Sequence, residues 1–266
     1  MARRDYETDE IRVRWDSSRC IHTALCLQAL PTVFDVRRRP WVDVGAADAD
    51  AIADAVERCP TGALRYERLD GVEGEVATRP TQVLPIEDGP LLLLGDLDVR
   101  APDGRQITHE TRLTLCRCGL SRNQPFCDNS HLRNNWQSGA TNEPKDPLPA
   151  PREGASGEPT KVLPLADASL ELRGDVRLFH SNGRPLATAG RVVLCRCGHS
   201  RNKPFCDGSH KSVEFRSRSP QVSRDRLDAE TPAAFTPNPR VPDAHAAATT
   251  SNARRRLAVR NPGRPV

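Results

Sequence analysis

The sequence predicts an α+β protein with a small mixed N-terminal unit, two β-rich units that repeat one another, and a disordered C-terminal tail. Composition is the first of three observations behind this reading. Hydrophobic residues make up 37% of the 266 and aromatic ones 4%, while 23 Pro and 17 Gly supply many turns, which suits small stapled modules better than one large packed core. Second, a shift of 79 residues lays one stretch on another without a gap: Thr81 falls on Thr160, Gly95 on Gly174 and Cys116 on Cys195, and residues 112–131 match 191–210 at 15 of 20 positions. That is an internal duplication, not shared composition. Third, the nine Cys stand in three groups of three, at 20, 26, 59, then 116, 118, 127, then 195, 197, 206. An odd number of thiols argues against a closed disulfide framework and for metal binding.

Residues 1–70 form the first unit. Residues 11–15, Ile-Arg-Val-Arg-Trp, alternate as a strand does; 33–36 and 41–44 read as a hairpin around the basic turn at 37–40; and 48–58 carry a helical pattern. After a linker at 70–80, the first repeat (81–137) offers strands at 82–86, 91–94 and 112–115, separated by Gly89-Pro90 and Pro102-Asp103-Gly104. A linker rich in Pro, Gly, Glu and Ser fills 138–159. The second repeat (160–219) answers with strands at 161–165, 170–172, 176–179 and 191–194 and turns at Ser181-Asn182-Gly183. Residues 220–266 are dominated by Pro, Ala and Arg and nearly lack aromatic residues, so this tail is expected to stay disordered.

No apolar run is long enough to span a bilayer. The N-terminus lacks the apolar core of a secretory signal and carries early acids at Glu7, Asp9 and Glu10, so a soluble, cytoplasmic protein without membrane contact is expected. Residues 221–266 hold all of the formal +4 charge, eight Arg against four acids. The rest of the chain therefore offers no general basic surface for nucleic acid. No nucleophile paired with a base, no phosphate loop and no nucleotide fingerprint is visible, and no enzymatic activity is expected.

Each repeat carries C-x-C-x8-C-x3-H, as Cys116, Cys118, Cys127, His131 and as Cys195, Cys197, Cys206, His210. Three thiolates and an imidazole satisfy one tetrahedral zinc or the four terminal positions of a two-iron cluster, and the spacing does not choose. The second run, from Cys195 to His210, resembles the CDGSH iron-sulfur family throughout its pattern C-x-C-x2-S/T-x3-P-x-C-D-G-S/A/T-H. The first departs once, with Asn129 where the family has Gly, and Asn tolerates the left-handed backbone that Gly usually fills. The resemblance implies one [2Fe-2S] cluster per loop, held by three Cys and one His. Replacing a thiolate by neutral imidazole makes such a centre easier to reduce than an all-Cys one, and protonation of that imidazole links electron uptake to proton uptake. Asp128 and Asp207 are placed to cap backbone N–H groups, Phe126 and Phe205 to keep water away, and Arg117, Arg122, Arg196 and Arg201 to offset cluster charge.

The first unit carries Cys20-x5-Cys26 and a distant Cys59-Pro60. It resembles the divergent mono-cluster ferredoxins of bacteria, which implies a small α+β ferredoxin-like domain and a 4Fe-4S cluster. Thr23 stands where a middle Cys is usual. Cys20, Cys26 and Cys59 therefore hold either a [3Fe-4S] cluster or a [4Fe-4S] cluster whose fourth iron takes a non-Cys ligand such as water, hydroxide or His22; the bland alternative is a helix pair with three buried thiols.

Three clusters of different ligand type suit a graded relay, and the expected function is electron transfer. Cluster transfer, redox or pH sensing, and a zinc-binding interaction module are the alternatives. Redox proteins or apo iron-sulfur acceptors are the expected partners, and the two repeats are expected to pair inside one monomer rather than across a homodimer.

Overall fold

A computed structural model describes residues 3–153 and 157–218; the tail expectation for 220–266 lies outside the described residues. The N-terminal unit is an antiparallel sheet of β1 (Arg3–Glu7), β2 (Ile11–Asp16) and β3 (Leu64–Arg68), in that order. Alternation along β2 turns Ile11 and Val13 inward. They meet the helix α2 (Ala49–Glu57), whose Ala49, Ile52, Ala53 and Val56 recur at helical spacing and are buried. Asp48 starts this helix by accepting the Ala51 N–H at 2.8 Å. The expected hairpin at 33–44 is reduced to one bridge, Phe34 to Val42, because its apolar residues drop into the core instead of extending a ladder. A short helix α1 (Leu25–Ala29) and the strands β1 and β3 add to what the pattern predicted.

The repeats supply β4 (Thr81–Pro85), β5 (Leu91–Arg100) and β6 (Gln106–Leu115), then β7 (Thr160–Pro164), β8 (Leu170–Phe179) and β9 (Pro185–Leu194). The runs at 170–172 and 176–179 belong to one strand, β8, which shifts register between Arg173 and Val176; β5 does the same between Leu94 and Leu97. The glycines at these bulges are required by a close approach. A Cβ on Gly95 would lie 2.4 Å from Thr81 Oγ1, and one on Gly174 2.7 Å from Thr160 Oγ1.

Within each repeat the strands pair antiparallel, while β4 pairs parallel with β8 and β7 with β5. The registers, Thr81 on Val176 and Thr160 on Leu97, are images of one another under the repeat shift. The two repeats thus share a six-stranded sheet related by a pseudo-two-fold, and Leu93, Leu97 and Leu113 bury in the same core as Leu172, Val176 and Val192. Two short helices, α3 (Ser130–Arg133) and α4 (Ser209–Ser212), follow the strands. The described part of 138–159 contains no strand or longer helix, but it is tied down: Asn142 N–H donates to Lys203 O and Gly190 N–H to Pro149 O. Among the described residues no helix is long and apolar enough to cross a membrane.

Candidate metal centres

Each repeat places its donors by folding a loop back on the last strand. After β6 the chain turns so that Cys116 N–H donates to Pro125 O at 2.8 Å and Cys127 N–H to Thr114 O at 3.1 Å, bringing the third Cys beside the first. After β9 the same bonds recur as Cys195 N–H to Pro204 O at 2.7 Å and Cys206 N–H to Val193 O at 3.0 Å. His131 and His210 then ride on α3 and α4, which open from Asn129 and Gly208 in left-handed backbone, φ 64° and 86°.

The donors gather two and two. Cys116 Sγ lies 3.8 Å from Cys118 Sγ and Cys127 Sγ 3.6 Å from His131 Nδ1; the second loop gives 3.9 Å for Cys195 to Cys197 and 3.5 Å for Cys206 to His210. Thiolate bonds of about 2.3 Å in a tetrahedron space neighbouring sulfurs about 3.8 Å apart, which is the spacing of two ligands on one metal. A single zinc would draw all four donors to that spacing. Among the described residues no group of three or more His, Cys, Asp or Glu closes around one ion.

All nine Cys are free thiols. Burial pushes the Cys127 and Cys206 thiols up. The first thiol of each pair is instead held below its ordinary range, by the bond from its Cys partner and then, against burial, by backbone N–H groups including those of Gly119 and Gly198. Buried thiols of this kind release their protons when a metal supplies the compensating charge, so the donor set fits an iron-sulfur group.

The loop frame matches its expected roles in part. Asp128 accepts Arg122 N–H and Ser130 N–H, both at 3.0 Å, and Asp207 accepts Arg201 N–H and Ser209 N–H at 2.8 and 3.0 Å. Phe126 and Phe205 are buried in the shared core. Arg117 and Arg196 are also buried, and their charges cross the pseudo-two-fold, Arg117 bearing on Cys195 and Arg196 on Cys116. Arg122 and Arg201 expose their side chains, and their backbone N–H groups are the donors to Asp128 and Asp207. The loops themselves touch: a Cβ on Gly119 would lie 2.5 Å from Cys197 O, and one on Gly198 2.4 Å from Cys118 O.

In the N-terminal unit, Cys20 follows a 3-10 turn (Ser17–Arg19), Cys26 lies on α1 and Cys59 follows α2, and all three pack on the same apolar cluster. Burial, and then the charge of Cys59, push Cys20 up to about 12; Cys26 rises for the same reasons with Cys20 added. His22 Nδ1 stands 3.8 Å from Cys20 Sγ. His22 and Ala24 both take left-handed backbone, φ 55° and 64°, in the loop that spans the two Cys, a costly conformation of the kind that collects at functional sites.

Residues 6–69 match the family model for a divergent 4Fe-4S mono-cluster domain, and residues 88–132 and 167–211 each match the model for the CDGSH-type iron-binding zinc finger. The chain thus carries two CDGSH-type iron-binding domains in tandem behind a divergent 4Fe-4S mono-cluster domain. Among curated proteins it is similar to YjdI of Escherichia coli, in strains K12 and O157:H7, at 29% identity over 63 residues, covering 24% of this chain and 83% of theirs.

In this tandem CDGSH-type protein, residues that sequence reasoning passed over frame the first centre. Gln124 is fully buried; its Nε2 donates to Gly119 O at 3.0 Å, and its Oε1 accepts from Arg196 at 3.0 Å. Arg19, Ile21 and Glu110 join the N-terminal unit to the first loop. The signal available in the sequence lay in the differences between repeats: Glu110 against Ala189, Gln124 against Lys203, Asn129 against Gly208.

Proposed function

We propose that the protein is a non-enzymatic electron carrier with a [2Fe-2S] cluster in each CDGSH loop and a [3Fe-4S] or [4Fe-4S] cluster in the N-terminal unit. The observation that carries the reading is the two-and-two gathering of donors, with Cys116 and Cys118 suited to one iron and Cys127 and His131 to the other, and likewise Cys195 with Cys197 and Cys206 with His210. An iron-sulfur group bound there supplies one-electron redox chemistry. The chain's own part is to bury the thiolates, hold the loops with Asp128 and Asp207, and set Arg117 and Arg196 between the centres. The internal sheet pairing supports a monomer that meets redox partner proteins one at a time. Purified protein should contain about seven or eight iron atoms with matching acid-labile sulfide and show distinct EPR signals on oxidation and reduction. Zinc without sulfide would overturn the reading.

A second reading, delivery of a cluster to an apo iron-sulfur acceptor, is favoured by one asymmetry. His131 and Cys127 are 3% and 4% exposed, whereas His210 and Cys206 are only half-buried. If the second loop is a donor site, incubating oxidised holoprotein with apo-ferredoxin empties that loop first. Retention of both clusters under those conditions leaves the carrier reading alone.

A further inference from the structure

We propose that the N-terminal centre exchanges electrons directly with the first repeat's centre and reaches the second only through it, along a route built by Asn129. The inference rests on the iron-sulfur reading above. From Cys20 the route follows the backbone to Ile21, whose carbonyl accepts a hydrogen bond from Asn129 Nδ2 at 2.7 Å. The backbone N–H of the same Asn129 points the other way, to Cys127 Sγ at 3.5 Å. One residue thus bridges the neighbour of an N-terminal ligand to a ligand of the first loop. The Ile21 side chain is itself buried against Cys127.

Contacts of three further residues, Asn123, Arg19 and Arg112, hold the two parts in register. Asn123 Nδ2 donates to Ser18 O at 2.8 Å. Arg19 donates to the buried Glu110 at 2.5 Å and lies over the Phe126 ring, 4.6 Å from its centre. Arg112 donates to Val56 O at 3.0 Å and to the carbonyl of the ligand Cys59. Every partner on the repeat side belongs to the first copy. At the corresponding positions the second copy has Ala189 in place of Glu110 and Gly208 in place of Asn129, and a Cβ on Gly208 would meet nothing within 4 Å. Asn129 keeps the left-handed backbone that the loop needs and adds a side-chain amide that Gly lacks. The departure from the family pattern is therefore the connection itself.

The step moves one electron. Iron held by Cys20, Cys26 and Cys59 is oxidised by one unit, iron held in the first loop is reduced by one unit, and a low-potential one-electron donor refills the former. No covalent bond is made or broken along the route.

Holoprotein photoreduced anaerobically with a deazaflavin, freeze-quenched and read by EPR follows each centre separately. The substitution N129G installs the residue that the second loop already uses, so iron and sulfide should stay at full content. The electron should then reach the first centre several-fold more slowly, and the magnetic coupling between the N-terminal and first centres should weaken. Asn129→Asp, which keeps the side-chain shape without the N–H donors, should do the same and serves as the deciding variant if N129G lowers cluster content. The reciprocal G208N should leave arrival at the second centre unchanged. Unaltered transfer and coupling in a fully loaded N129G or N129D protein overturns the route while leaving the three-centre reading intact. Unmodified protein without sulfide overturns that reading and the route together.

Discussion

Arg112 and Arg191 occupy the same position in the two repeats and live in different surroundings. Arg191 stays half-exposed beside Glu171, whereas Arg112 is 4% exposed and donates to Glu75 at 2.6 and 2.8 Å, as well as to carbonyls of the N-terminal unit. Burial opposes the charge on Arg112, but the Glu75 carboxylate outweighs it and holds the guanidinium protonated. Burial likewise raises Glu75, and Arg112 outweighs that too, leaving the carboxyl below its ordinary value. Removing one partner strands the other, so Glu75→Gln should destabilise the holoprotein at neutral pH by about 3 kcal/mol, the low end for breaking a buried pair because the amide keeps one acceptor. A group whose folded pKa is lowered stabilises the fold above its unfolded value and loses that contribution as pH falls through the folded value. The Tm gap between the unmodified protein and E75Q should therefore be full at pH 7 and narrow as pH drops below the ordinary glutamate range. A gap independent of pH would show that the lost contact is not an ion pair.

Where the strands of the two repeats cross, the side chains at the pseudo-two-fold decide the energetics. Thr81 Oγ1 and Thr160 Oγ1 lie 2.8 Å apart, with 4% and 2% of the two residues exposed. Either Thr→Val change leaves the other hydroxyl buried without this partner, at a cost of about 1–3 kcal/mol, while changing both removes the need for the bond. Urea unfolding should therefore give T81V and T160V each a clear loss and the double variant much less than their sum; additive losses would mean that the two hydroxyls do not depend on one another. At this scale the sequence was a partial guide. The apolar cores of the strands were legible because Leu and Val cluster at 91–94 and 192–194. The outer halves of β6 and β9 were not, since residues such as Gln106, Thr108 and His109 satisfy their backbone in an exposed hairpin and carry no apolar period. β1, Arg-Arg-Asp-Tyr-Glu, is an edge strand whose charges hide it for the same reason. The Cys and His of the candidate centres stand out in the sequence itself, because cluster chemistry demands fixed residue types at fixed spacing. The joint between Arg19, Ile21 and the first loop was not, because ordinary residues 91 to 108 positions apart make it.

Across the whole molecule, the parallel pairings of β4 with β8 and β5 with β7 make the two CDGSH-type repeats one folding body instead of two beads on a linker. Segment 138–159 adds to this, since Asn142 and Pro149 grip the second repeat before the chain has entered it. Cutting the connection beyond those contacts changes only the chain entropy that keeps the halves at high effective concentration, and leaves the shared sheet and core in place. Gly157 offers the position: it is exposed, and a Cβ there would meet nothing within 4 Å. Holoprotein carrying a specific protease site inserted at Gly157 should therefore elute after cleavage as one species of unchanged mass on size exclusion, with both loops still loaded. The thermal transition should become dependent on protein concentration, as expected once unfolding also separates two chains. Halves that part in native buffer on cleavage would mean that each repeat closes its own core, and that the cross-repeat ladder contributes little to holding the two CDGSH-type centres together.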